Sequence, residues 1–327
     1  MEHKRFKPSA RWPFIVALLL VTIAVWQHQA IRDWLRLQSY NPDASVVQLA
    51  DDIALTPEAR RLFYVNHPAI QDRESFNASC NSRGEHTIVL GCYHPVDRGI
   101  FIFHVSDDRL AGVDQVTAAH EVLHAAYDRL GSKERSRVDR LLQDYNDRGV
   151  YDERIKTIIA AYRKSEPNDL VNEMHSIFAT EIVVLPGELE TYYKRYFTDR
   201  AKVVGYANAY QAEFTSRQTM VSDYDKRLQS LKQQIDDNTA RLESQESQIA
   251  TLRAQLDEDR SSDNIEAYNA AVPVYNARID AYNNLIATTK SIISTYNQVV
   301  AERNQLALQV AELAHSIDST FQPLNDR

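Results

Sequence analysis

At 327 residues, with 44% hydrophobic and 25% charged side chains, the chain has the composition of a globular protein with room for about two domains. A net charge of −8 offers no overall basic surface for phosphate backbones, which excludes nucleic acid as the main partner. Two cysteines are too few for a structural zinc site built from four thiolates.

The N-terminus carries Lys4, Arg5, Lys7 and Arg11, followed by an uncharged run from Phe14 to Trp26. Between Trp12 and Ile31 the strongly polar side chains are Gln27, His28 and Gln29, and Trp12 and Trp26 stand where interfacial aromatics anchor a helix. This pattern predicts a basic cytoplasmic tail over 1–12 and an uncleaved transmembrane anchor over 13–31. A cleaved signal peptide is the competing reading. Either way the expected address is the cell membrane, single-pass, with the bulk of the chain extracytoplasmic. Residues 32–55 read as a linker.

Residues 56–205 mix element types. Pro57 to Phe63 follows Thr56 as a candidate N-cap and predicts a helix. The runs Thr87–Tyr93 and Gly99–Val105 are rich in β-branched and aromatic residues and predict two strands. Cys80 and Cys92 flank a turn-forming Asn-Ser-Arg-Gly stretch, and in an oxidising compartment they predict a disulfide closing a small loop. A helix is expected from about Gln115 to Leu130, with Asp114 as N-cap and Gly131 as its stop, and further helices over 132–148 and 172–184.

The first of these helices contains His120-Glu121-Val122-Leu123-His124. Two histidines four apart share one helical face and can reach a single zinc ion, and Glu121 stands where it can take a proton from a metal-activated water. A catalytic zinc needs a third protein ligand. A metzincin would place glycine at 127 and histidine or aspartate at 130, but Tyr127 and Leu130 occupy those positions. The segment Asn172-Glu173-Met174-His175-Ser176 lies 49 residues beyond His124. Here the chain resembles the gluzincin metallopeptidases, whose Asn-Glu-x-x-Ser-type helix supplies the third ligand. The resemblance covers about residues 87–185. It implies one zinc ion on His120, His124 and Glu173, with Glu121 as general base, acting on a peptide or protein substrate. It also implies that strand 99–105 is an edge strand able to pair with an extended substrate.

One departure is visible: Ile177 replaces the aspartate that in many gluzincins orients a ligand histidine. Glu181, two turns beyond Glu173, is a candidate for that role or for the third ligand, and His175 is a further alternative ligand. Tyr162 is the candidate oxyanion donor, with His175 as a second.

Glycine is absent after Gly205, and the last third of the chain is heptad-patterned. Val221, Leu228, Ile235, Leu242, Ile249 and Leu256 recur every seven residues, with Asn238 and Gln245 as polar interruptions. After a polar break over 257–264 a second series runs through Val272, Ile279, Ile286, Ile293 and Val300, with Tyr268, Tyr275, Tyr282 and Tyr296 beside it and a further row from Leu285 to Leu313. Residues 206–320 therefore predict an antiparallel coiled-coil hairpin, its second arm started or kinked at Pro273, offering a surface for a protein partner or self-association.

The expected fold class is an α+β zincin-like metallopeptidase domain with a small sheet, an N-terminal transmembrane helix and this C-terminal hairpin. The expected function is a membrane-anchored zinc metallopeptidase, with two alternatives. One is a membrane-tethered coiled-coil scaffold with a structural or vestigial zinc site, and the other is a latent protease whose cleft is covered. Glu121 favours the enzyme, since a structural site needs no base.

Overall fold

The computed structural model describes residues 27–80, 90–96, 99–149 and 151–320. Of these, 78% are helical, and the remaining regular structure is one three-stranded sheet. In chain order the elements begin with α1 (His28–Gln38), α2 (Ala44–Asp52), α3 (Pro57–Val65), β1 (Ala69–Gln71), α4 (Arg73–Ser79), β2 (Gly91–His94) and β3 (Gly99–Phe103). They continue with α5 (Val113–Asp128), α6 (Ser132–Arg148), α7 (Glu153–Ser165), α8 (Leu170–Glu181), α9 (Gly187–Tyr193), α10 (Arg200–Ser261) and α11 (Ile265–Ile317). The chain divides into two compact units, one of residues 1–211 with 315–327 and one of residues 212–314.

In the first unit α5 is the central element. Val116, Ala118, Ala119, Val122, Leu123, Ala125 and Ala126 are buried on different sides of it, and its four alanines let neighbouring backbones come close. It packs along α8 and also meets α2, α3, β2 and β3. The sheet order is β1-β3-β2, with β1 parallel and β2 antiparallel to β3. Ile100 and Ile102 of β3 point into the core, where Phe63, Leu123, Leu142, Ile155 and Phe178 are fully enclosed. The Thr56 hydroxyl caps α3 by accepting from the Ala59 amide at 3.1 Å. The disulfide between Cys80 and Cys92 is formed, tying the end of α4 to β2.

Several expectations are corrected. The α+β zincin-like class with a transmembrane helix gives way to a predominantly helical molecule with a small sheet. Strands of three to five residues cannot offset helices that run up to 62 residues. Among the described residues no helix is long and apolar enough to cross a membrane, so the single-pass membrane address with an extracytoplasmic bulk is withdrawn. Residues 13–26 of the expected span lie outside the described residues. Its remainder enters α1, which has Arg32, Asp33 and Arg36 along it and an Asp33–Arg129 ion pair at 2.7 Å in which Asp33 is buried.

The segment 32–55, read as a linker, holds most of α1 and all of α2, and Val46, Leu49, Ala50 and Ile53 belong to the core. Strand 99–103 is central, because β1 and β2 flank it, and β2 is an edge. Gly112 rather than Asp114 stands before α5, in the left-handed region with φ 104°. Asp114 instead accepts from the Val105 amide at 3.1 Å and pairs with His104 at 2.7 Å. Gly131 precedes α6 with an extended backbone and does not stop α5, which ends at Asp128.

The second unit consists of most of α10 and α11, joined by a turn at Ser262–Asn264 in which Asp263 takes the left-handed conformation. Asp225 and Arg303 pair across the two arms at 3.0 Å, as an antiparallel return requires. On the first arm the seven-residue series is half-buried and Asn238 is buried. On the second arm the buried row is Leu285, Val299, Leu306 and Leu313, whereas Ile293 of the expected series is exposed. Pro273 lies inside α11, one residue past its first two turns.

A buried arginine closes the first unit. Arg200, the first residue of α10, donates to the carbonyls of Ala179 at 3.0 Å, Ile182 at 2.6 Å and Val183 at 3.0 Å, and pairs with Glu190. These carbonyls include the end of α8, which lacks helical partners of its own. Arg200→Ala is expected to lower the unfolding free energy by about 3 kcal/mol, since it strands buried acceptors and one carboxylate. A shift in the urea midpoint measures this, and a change below about 0.5 kcal/mol would refute the capping role.

Candidate metal centre

The two histidines lie one turn apart on α5, their rings 4.7 Å apart at 65°. Glu173 reaches them from the first turn of α8, the helix packed along α5. Its Oε2 is 3.5 Å from His120 Nε2 and its Oε1 is 3.4 Å from His124 Nε2. One ligand atom from each of the three residues lies within 4.8 Å of the others. Glu173 is 6% exposed, and its Oε2 is buried with no hydrogen-bond partner. Burial alone would raise the Glu173 carboxyl, but His124, His120 and a hydrogen bond from Tyr162 outweigh it and hold it below the usual carboxylate range.

Glu121, 5% exposed, lies on the same helix beside the cleft. The backbone of β2 comes so close that a Cβ on Gly91 would meet Thr117 Cγ2 at 2.5 Å and Glu121 Oε1 at 2.7 Å. Only glycine fits there, and the sequence carried the signal: an isolated glycine inside a strand pattern marks a close backbone approach. Tyr162 of α7 and Tyr210 of α10 join these residues in lining one cleft of about 450 Å³. Burial pushes the Tyr210 hydroxyl above its ordinary range. Tyr210 had no motif to reveal it, because it lies at the root of a long heptad helix.

The remaining candidates fall elsewhere. Glu181 lines the cleft but is ion-paired with Arg154 and accepts from Gln211 at 3.4 Å, outside the three-residue group. His175 is fully buried behind α8, with Nε2 2.9 Å from the Tyr192 hydroxyl, while Tyr193 donates to its carbonyl at 2.7 Å. Burial, with a smaller effect of His124 and His120, drives its imidazole well below the ordinary value, so it is neutral among its tyrosines. Ile177, where many gluzincins carry an aspartate, is buried core.

No family model matches the chain, and neither the curated proteins nor the solved structures compared with it yield a match.

Gly91→Ala is expected to destabilise the protein by about 2 kcal/mol, because β2 or the Thr117 and Glu121 side chains must move. Chemical denaturation tests this, and an unchanged midpoint would mean that β2 does not press on α5.

Proposed function

We propose that the protein is a zinc-dependent metallopeptidase. The observation that carries the reading is the Glu173 carboxylate, from a separate helix and with one buried oxygen lacking a partner, set 3.4 and 3.5 Å from two histidine nitrogens. Zinc takes imidazole nitrogen and carboxylate oxygen as ligands, and one such atom from each of His120, His124 and Glu173 lies within 4.8 Å of the other two, so the donor set suits the ion. A carboxylate next to two imidazoles in a buried site also lowers the cost of placing a dication there.

His120, His124 and Glu173 would hold a zinc ion, which would supply Lewis acidity for a water and a peptide carbonyl. Glu121 follows the first ligand histidine and lines the same cleft, so its carboxylate accepts the proton from the attacking water and returns it to the departing amine. The Tyr162 hydroxyl lines the same cleft and donates its proton to the Glu173 carboxylate, which it helps to orient. Close packing of β2 on α5, which leaves Glu121 5% exposed, limits bulk water around its carboxylate.

The test is metal content and peptide turnover of the purified full chain. About one zinc per chain is expected in wild type, lost in Glu173→Ala, and retained in Glu121→Gln with turnover reduced by at least about 100-fold. Folded wild-type protein that takes up no zinc on reconstitution would remove the proposal. Retained turnover in Glu121→Gln would remove Glu121 as the base.

A further inference from the structure

The two arms of the hairpin share a seven-residue period but differ in the width of their apolar faces. On α10 the positions beside the seam are Asp225, Lys232, Thr239, Glu246 and Arg253, all exposed and mostly charged, as the flank of a two-stranded coiled coil should be. On α11 the buried seam includes Leu285, Val299, Leu306 and Leu313. One residue past each seam position stand Ile265, Val272, Ile279, Ile286, Ile293 and Val300, a row without a polar member. Ile265 is 63% exposed and Ile293 40%, and the other four are half-buried. A two-stranded seam uses two apolar positions in each heptad, whereas a helix inside a larger bundle uses three. By that measure α10 is patterned for one neighbour and α11 for one more.

The borders of this row say what kind of neighbour fits. On the seam side lie the half-buried Tyr268, Tyr275, Tyr282 and Tyr296, and on the outer side the exposed Asn269, Asn276, Asn283, Asn297 and Asn304. Lys290 is the one charged residue in the asparagine row. A side-chain amide donates and accepts at once, so a row of amides can face a copy of itself. A charged border would instead meet its own sign across a two-fold axis. The apolar row adjoins the α10–α11 seam and runs for about 52 Å at about 1.5 Å per residue. It therefore extends an existing interface along the helix.

We propose that this face of α11 is a dimer interface, on which α11 of a second copy of the chain lies antiparallel, so that two hairpins make a four-helix bundle. The direction follows from the charges. A parallel pair would set Lys290 against Lys290 of the second copy, whereas an antiparallel pair sets it against the asparagine row. The midpoint of the apolar row falls between Ile279 and Ile286, so a two-fold axis there brings Ile279 of each copy against Ile286 of the other. The dimer stands independently of the zinc reading.

Sedimentation equilibrium of the full chain tests this, with a monomer–dimer equilibrium expected for wild type. Ile286→Asp and Ile279→Lys are each expected to weaken dimerisation at least about tenfold, since each sets a charge against isoleucine. Mixed in equal amounts, the two variants are expected to pair again, because the antiparallel contact brings their opposite charges together. Thr239→Asp, on the exposed flank of α10, is expected to leave the dimer unchanged. Circular dichroism should read the same helix content in every variant, because none of these positions belongs to the buried seam. Ile293→Asp, at an already exposed position, gives the same test should a charge in mid-row unwind the hairpin. A wild-type chain that stays monomeric at every concentration would overturn the proposal. So would a dimer that no row variant weakens, or one that Thr239→Asp weakens equally. Variants that disperse the dimer yet do not pair on mixing would overturn the antiparallel arrangement.

Discussion

Everything in the first unit is organised by the packing of α5 against α8. A helix buried on nearly all sides has few ways to admit charged groups, and α5 brings Glu121 and His124 into its interior within one turn. The arrangement holds because Glu173 crosses from α8 to the same place, giving the histidines an anion and the carboxylate a pair of imidazoles. Neither helix could keep these groups buried alone. The small residues of α5, the glycine of β2 and the tyrosine shell around His175 all serve that close approach.

The tyrosine shell shows how the second helix is held. His175 follows Glu173 by two residues and so points away from the cleft, into Tyr192, Tyr193 and Tyr196. That side of α8 is fixed by hydrogen bonds to buried hydroxyls, and its far end by Arg200. The cleft-facing side and the anchoring side of one short helix are thus separate, so anchoring leaves Glu173 free to face the histidines.

Local patterns were readable where the physics is local. His120, Glu121 and His124 declare themselves because a spacing of four is fixed by the helix, and the heptads of α10 because its seam follows one period over its length. The cap on Thr56 and the disulfide were legible for similar reasons. Which strand forms an edge was not, because strand order depends on pairings far apart in sequence. The choice between two adjacent apolar rows on α11 was equally hidden, since the partner helix decides which row is covered. Residues 44–55 were passed over as linker although Val46, Leu49, Ala50 and Ile53 share a helical face, because a helix of nine residues gives a weak periodic signal.

The chain that leaves the first unit after Gln211 comes back to it at His315. There the Arg73 side chain donates to the His315 carbonyl at 3.4 Å, Ser316 donates to Asp107 at 3.2 Å, and Asn77 donates to the Ser319 carbonyl at 2.8 Å. The hairpin is therefore an insertion with two covalent attachments and not a tail. Its first attachment also carries Arg200, Tyr210 and Gln211, which belong to the body. A minimal body made by simple truncation would lose the returning stretch of chain, and one cut before residue 210 would also lose Tyr210 from the cleft. Excision with the two ends rejoined by a short loop is the division that respects this topology.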